Sequence, residues 1–156
     1  MKKTIIIGLG NPLRGDDAVG LRIARVLKER LADRADIDVV EAYRGGIALA
    51  ETAIGYERAI VIDTMAKKAG QPGTVVSFTP SPDMCSRNSG SLHDASLCDA
   101  LSICCALGEA VPKDVLCWGI VPKEIETFSE ALTDEIEALI PVVADQIIAK
   151  LNEQGE

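Results

Sequence analysis

Aromatic residues and histidine are scarce in this chain: one histidine, one tryptophan, two tyrosines and two phenylalanines in 156 residues. Any imidazole chemistry therefore falls to His93. The core must be built from Val, Ile, Leu and Ala, the composition that parallel sheets covered on both faces prefer. Basic residues are short too, 16 Lys and Arg against 24 Asp and Glu, a formal net charge of −8. That balance argues against nucleic acid and anionic membranes as partners. No apolar run approaches the roughly 18–20 residues that span a bilayer. The opening Met1-Lys2-Lys3 leads straight into a strand-like segment without a signal peptide's length or cleavage site, so a cytoplasmic location is expected. The five cysteines (Cys85, Cys98, Cys104, Cys105, Cys117) are odd in number and lack paired zinc spacing. They indicate neither a disulfide framework nor a thiolate metal knot, and most are expected as small core residues. The length fits a single α/β domain over residues 1–156.

What the chain does have is one organising stretch, Thr4 to Gly20. The apolar run Thr4-Ile5-Ile6-Ile7 stops at Gly8, turns through Asn11-Pro12 and ends on the adjacent carboxylates Asp16 and Asp17. This reads as a buried first strand, a loop at its carboxyl end, and a helix starting at Asp16 or Asp17. Ligands of open α/β sheets bind outside the carboxyl ends of the strands, so this loop is the first place to look for chemistry. It is not a dinucleotide fingerprint. Gly8 and Gly10 supply two glycines, but the third position carries Leu13, and Pro12 removes a backbone N–H from the turn. Paired carboxylates repel a pyrophosphate and suit a cation.

The pattern Gly8-x-Gly10-Asn11, then Asp16-Asp17-x-x-Gly20, resembles the amino-terminal signature of the nickel–iron hydrogenase maturation endopeptidases. The resemblance runs the length of the chain, with later elements falling where that family has them. It implies a protease that removes the carboxy-terminal extension of an immature hydrogenase large subunit.

Along the rest of the chain, Val19, Ile23, Val26, Leu27 and Leu31 recur at helical spacing. Asp38–Ala42 reads as a short strand running into Gly45-Gly46, and Ile47–Ile54 as a short helix closed by Gly55. Arg58–Asp63 is the clearest central strand, and with Thr4–Leu9 it is expected to form an adjacent parallel pair. The turn-rich Lys67–Gly73 is too short for a helical crossover, so the strand Thr74–Thr79 should run antiparallel to its predecessor. A polar loop from Pro80 leads to His93 at the start of a helix ending near Leu107, with Leu97, Leu101, Cys104 and Cys105 as its apolar face. Val115–Val121 is the last strand. A helix then starts after Thr133 and runs to about Asn152, kinked at Pro141. The order implies a three-layer α/β/α sandwich around a five-stranded, mostly parallel sheet with one antiparallel strand.

Three polar groups stand at element boundaries: Asp17 after the first strand, Asp63 at the end of the third, and His93 between loop and helix. If the two strands are neighbours, both carboxylates emerge at one sheet edge, and the long loop can carry the imidazole over them. Two carboxylates and an imidazole form an O,O,N ligand set with open positions. The resemblance implies the same three as metal ligands. Adjacent residues at a helix start point in different directions, so Asp17 is assigned to the metal and Asp16 to capping. Gly45 and Gly46 are candidates for admitting a peptide at this edge, although Ile47 stands where the family has a polar residue. A set without thiolate holds free nickel weakly. No tightly bound cofactor is therefore expected; the resemblance implies that nickel arrives with the substrate, the immature large subunit. Asp17 and Asp63 are both candidates for activating water.

Other classes have weaker footing. A thiol mechanism would use Cys85, since Cys98 sits well inside a predicted helix rather than at its electropositive end. Ser89 and Ser91 lack the setting of a nucleophile elbow. A non-catalytic nickel-sensing or nickel-delivery protein built on the same ligands is the non-enzymatic alternative.

Overall fold

The β-branched opening run forms β1 (Thr4–Leu9), paired parallel on one side to β2 (Ile37–Ala42) and on the other to β3 (Arg58–Thr64). A strand with both edges and both faces covered needs apolar residues throughout, and Ile5, Ile6, Ile7 and Leu9 are all buried. The computed structural model describes residues 3–80 and 92–154, with side chains at 97–153 in the second segment. β4 (Val75–Phe78) pairs antiparallel with β5 (Asp114–Ile120), which is itself parallel to β3. The sheet order is β2-β1-β3-β5-β4. The expected β1–β3 neighbourhood is present, and one strand alone runs antiparallel. That strand does reverse direction after β3, but β5 is inserted between them. The central place goes to the strand whose carboxyl half is buried on both faces, and the four-residue, partly exposed β4 takes the edge.

Helices cover both faces. α1 (Val19–Arg30), α4 (Asp134–Glu137) and α5 (Leu139–Gln154) lie on one side, and α2 (Gly46–Ala53) and α3 (Leu92–Ala106) on the other. Side chains of a strand alternate between faces. Accordingly Ile6, Ile60 and Ile62 pack with Ile23, Leu27, Val143 and Ile147. Ile5, Ile7, Ala59 and Val61 pack with Leu49, Leu97 and Ala100. Among the described residues no helix is long and apolar enough to cross a membrane.

Three local expectations change. The helix after the first loop is preceded by a tight 3-10 turn, Gly15–Ala18, in which the Asp17 carbonyl accepts from Asn11 N at 3.3 Å. The buried face of α3 is Leu97, Ala100 and Cys104; Leu101 is half-buried and Cys105 is exposed on the shoulder, one step too far round the helix. The last helix is two pieces broken at Ala138, because Pro141 has no N–H to bond the carbonyl of Glu137 four residues back.

Candidate active site

The chain leaves β1 for β2 through α1 on one face, then returns to β3 on the other side of β1 through α2 on the opposite face. The gap between the carboxyl ends of β1 and β3 is therefore the topological switch point, where open α/β sheets bind ligands. Glycines let α1 close over this gap. A Cβ on Gly8 would stand 2.2 Å from the Gly20 carbonyl oxygen, and one on Gly10 2.1 Å from that of Asp17. A Cβ on Gly20 would lie 2.5 Å from both the Leu9 and Ile62 carbonyl oxygens. The glycine pattern therefore serves backbone-to-backbone packing of the helix start on the two strand ends. It does not cradle a phosphate.

The two adjacent carboxylates part company here. Asp16 has no exposed surface. Its Oδ2 accepts from Lys123 N at 2.9 Å and Glu124 N at 2.8 Å, and its Oδ1 from Thr133 N at 2.7 Å. The Thr133 hydroxyl, which would otherwise cap α4, donates to it as well. Asp16 thereby fastens the segment after β5 to the first loop. Gly15 N to Ser129 O and Ser129 N to Leu13 O, both 2.9 Å, complete the seam. On the same segment the exposed Glu124 carboxyl is held below its usual range by the Glu126 N–H, which donates to it at 2.7 Å.

Asp17 faces a cleft of about 270 Å³ lined by Leu9, Gly10, Asn11 and Arg14, by Tyr43 after β2, by Thr64, Met65 and Ala66 after β3, and by Ile125. It is 8% exposed, and its Oδ1 accepts the Thr64 hydroxyl at 2.7 Å. Asp63, 4% exposed, continues the Ala59–Val61 face of β3 toward the α2–α3 side, and its Oδ1 accepts from Thr64 N at 2.8 Å. It lines a narrow crevice with Phe78, Cys117, Trp118 and Gly119 that shares Thr64 and Met65 with the cleft. The two candidate carboxylates thus flank one residue, Thr64. Gly45 is the residue before α2 and Gly46, at φ +64°, its first residue. They follow Tyr43 at the same sheet edge, but neither lines the cleft among the described residues. α3 runs back toward the start of β5, so its first turn, which holds His93, lies toward the carboxyl edge. The His93 side chain falls outside the described residues, as do Cys85, Ser89 and Ser91. Among the described residues no three His, Cys, Asp or Glu side chains come close enough to hold a metal ion.

A family model described as hydrogenase maturation protease (HycI) matches residues 21–150. The chain belongs to the hydrogenase maturation protease family. It is 28% identical to the hydrogenase 2 maturation protease of Escherichia coli K12 over 98% of this chain and 93% of that protein. The solved maturating endopeptidase HybD of E. coli superposes with a TM-score of 0.75 at 27% identity, covering 98% of this chain and 94% of that one. HybD of Thermococcus kodakarensis, a NiFe hydrogenase maturation protease, gives 0.69 at 29% identity over 96% and 98% of the two chains. The first-loop motif, Asp17 included, lies ahead of the residues matched by the family model. Thr64 had no signal in sequence beyond following Asp63. A threonine in a strand is ordinary, and only the alternation of β3 hinted that it faces the opposite way from its neighbour.

Proposed function

We propose that this hydrogenase maturation protease removes the carboxy-terminal extension of an immature nickel–iron hydrogenase large subunit in the cytoplasm and recognises nickel already inserted in that substrate. The observation that carries the reading is the pair of carboxylates gripping Thr64 at the β1–β3 switch point, one of them opening on the cleft. Asp17, Asp63 and His93 are the proposed contacts to the substrate's nickel. Two hard carboxylates and an imidazole bind the free ion weakly. The protease therefore responds to metal that the precursor's own groups already hold. No resident cofactor is invoked.

Docking through the metal fixes the precursor relative to the cleft, and the scissile bond is held in place for attack by water. Much of the rate then comes from positioning, since intramolecular alignment is worth roughly 7–11 kcal/mol in favourable cases. Substrate-borne nickel supplies polarisation of a carbonyl or a water. Asp17 and Asp63 are the carboxylates available to take the proton of that water. Gly45-Gly46, beside Tyr43 at the rim, is the proposed passage for the extended peptide, where a missing side chain leaves the backbone accessible.

The test is cleavage of purified immature large subunit, each preparation with and without nickel. Cleavage only of the nickel-loaded form is expected, with loss of activity in His93→Ala. Equal cleavage of both forms overturns nickel recognition, and parental rates in His93→Ala remove His93 from the ligand set.

A further inference from the structure

Resting on that reading of the site, we infer that Thr64 is the positioning residue that sets the Asp17 and Asp63 carboxylates for the substrate's metal. Thr64 is 8% exposed and stands at the last position of β3, so its backbone is fixed by the sheet. Its β-branched side chain has few rotamers open to it, which fixes the direction of the hydroxyl. The hydroxyl carries one proton, and that proton goes to Asp17 Oδ1 at 2.7 Å. Among the described residues Asp17 Oδ2 takes no hydrogen bond, and Asp17 lines the cleft. One oxygen is tethered, and the other is left as an acceptor toward the substrate. The main-chain N–H of the same residue donates to Asp63 Oδ1 at 2.8 Å, which orients the second carboxylate from a point on the same peptide unit.

Two ligand carboxylates hung on one rigid residue keep their mutual geometry without help from the substrate. Groups that orient metal-binding carboxylates matter nearly as much as the ligands themselves, and losing one typically costs about 10–100-fold in affinity or activity. Met65 prolongs the device. Its N–H is bound to the Ile120 carbonyl at 2.9 Å, and its side chain rests where Gly119 has no Cβ, so the chain after Thr64 cannot swing away.

The experiment is single-turnover cleavage of nickel-loaded precursor over a range of enzyme concentrations, with thermal melts, for Thr64→Val, Thr64→Ser and Thr64→Ala. Valine keeps the shape and removes the hydroxyl. It should raise the half-saturating enzyme concentration about 10–100-fold, and serine should return it to within a few-fold of the parent. Should the valine protein not fold, the same contrast is read between alanine, which must lose affinity, and serine, which must not. Parental half-saturation in Thr64→Val or Thr64→Ala alongside an inactive Asp17→Asn overturns the role of Thr64 and leaves the site reading standing. Serine and valine impaired alike, with equal losses of melting temperature, make Thr64 a packing residue and also overturn it. Parental cleavage by Asp17→Asn overturns the site reading itself, and this inference with it.

Discussion

Asp16 and Asp17 are adjacent carboxylates, and the structure gives their amide variants opposite signatures. In Asp16→Asn one oxygen becomes an NH₂ group. If the amide nitrogen faces Lys123 N and Glu124 N, two backbone donors lose their acceptor; if it faces Thr133 N, one does. Even in the better orientation a donor at a fully buried carboxylate goes unpaired, at about 1–3 kcal/mol. The remaining bonds also lose the added strength of an ionised acceptor, about 1 kcal/mol together. The expected cost is therefore about 2–4 kcal/mol. For a domain of this size each kcal/mol moves the melting temperature by about 2–4 °C, so Asp16→Asn should melt roughly 5–15 °C lower. Folding survives, since typical stabilities are about 5–15 kcal/mol.

Asp17→Asn is the internal control. An asparagine carbonyl at that place still accepts the Thr64 hydroxyl, so stability should change by no more than about 1 kcal/mol. Cleavage should nevertheless fall about 100-fold or more, because a neutral amide is a poor partner for the cation and misplaced substrate reacts slowly. Paired differential scanning calorimetry and cleavage assays separate the two. An Asp16→Asn protein melting within about 2 °C of the parent would refute the reasoning, and so would equal destabilisation of both variants.

Gly20→Ala puts a Cβ 2.5 Å from two backbone carbonyl oxygens. The overpacking cost of about 1–3 kcal/mol, at its upper end because backbone must move, should outweigh the helix-propensity gain of up to about 1 kcal/mol. A urea midpoint above the parent's would contradict this, and cleavage should fall with stability since Asp17 lies three residues upstream. The Asp36 carboxyl is held below its ordinary value by two hydrogen bonds from the Arg34 guanidinium, both 2.9 Å. A depressed carboxyl stabilises above its unfolded pKa, near 4, and the benefit fades as pH falls through the lower folded value. Asp36→Asn should therefore lose no more than about 0.5 kcal/mol at pH 7 in this exposed pair, a deficit that shrinks as the pH falls below about 4; one that stays constant or grows in acid denaturation curves would contradict that sign.

The sheet was legible in sequence because two of its interior strands, β1 and β3, carry the apolar runs Ile5–Leu9 and Ala59–Ile62, which suit a doubly covered parallel strand. That Asp16 and Asp17 face different ways was legible in principle, since neighbours at a helix start cannot face the same way. What held Asp16 was not. Its partners Lys123, Glu124 and Thr133 are more than a hundred positions away and contribute mainly backbone N–H groups, which every residue but proline has. Composition carries no trace of such a seam. The same blindness hid the cleft wall, because Ile125 reaches it only through that seam.

Thr64 shows why the site was half readable. Period-two alternation sends Asp63 to the face shared with Ala59 and Val61, and Thr64 to the face shared with Ile60 and Ile62, under α1. A carboxylate arriving from the start of α1 can therefore meet Thr64 directly but reaches Asp63 only around the strand end. Reading both aspartates as residents of one edge compresses this into a single point. The structure separates it into two openings, a cleft with Asp17 and a crevice with Asp63, joined by Thr64 and Met65. A ligand that engages both carboxylates must sit beyond the strand end, over the Thr64 peptide. α3, whose first turn holds His93, packs on that same Asp63 face of the sheet.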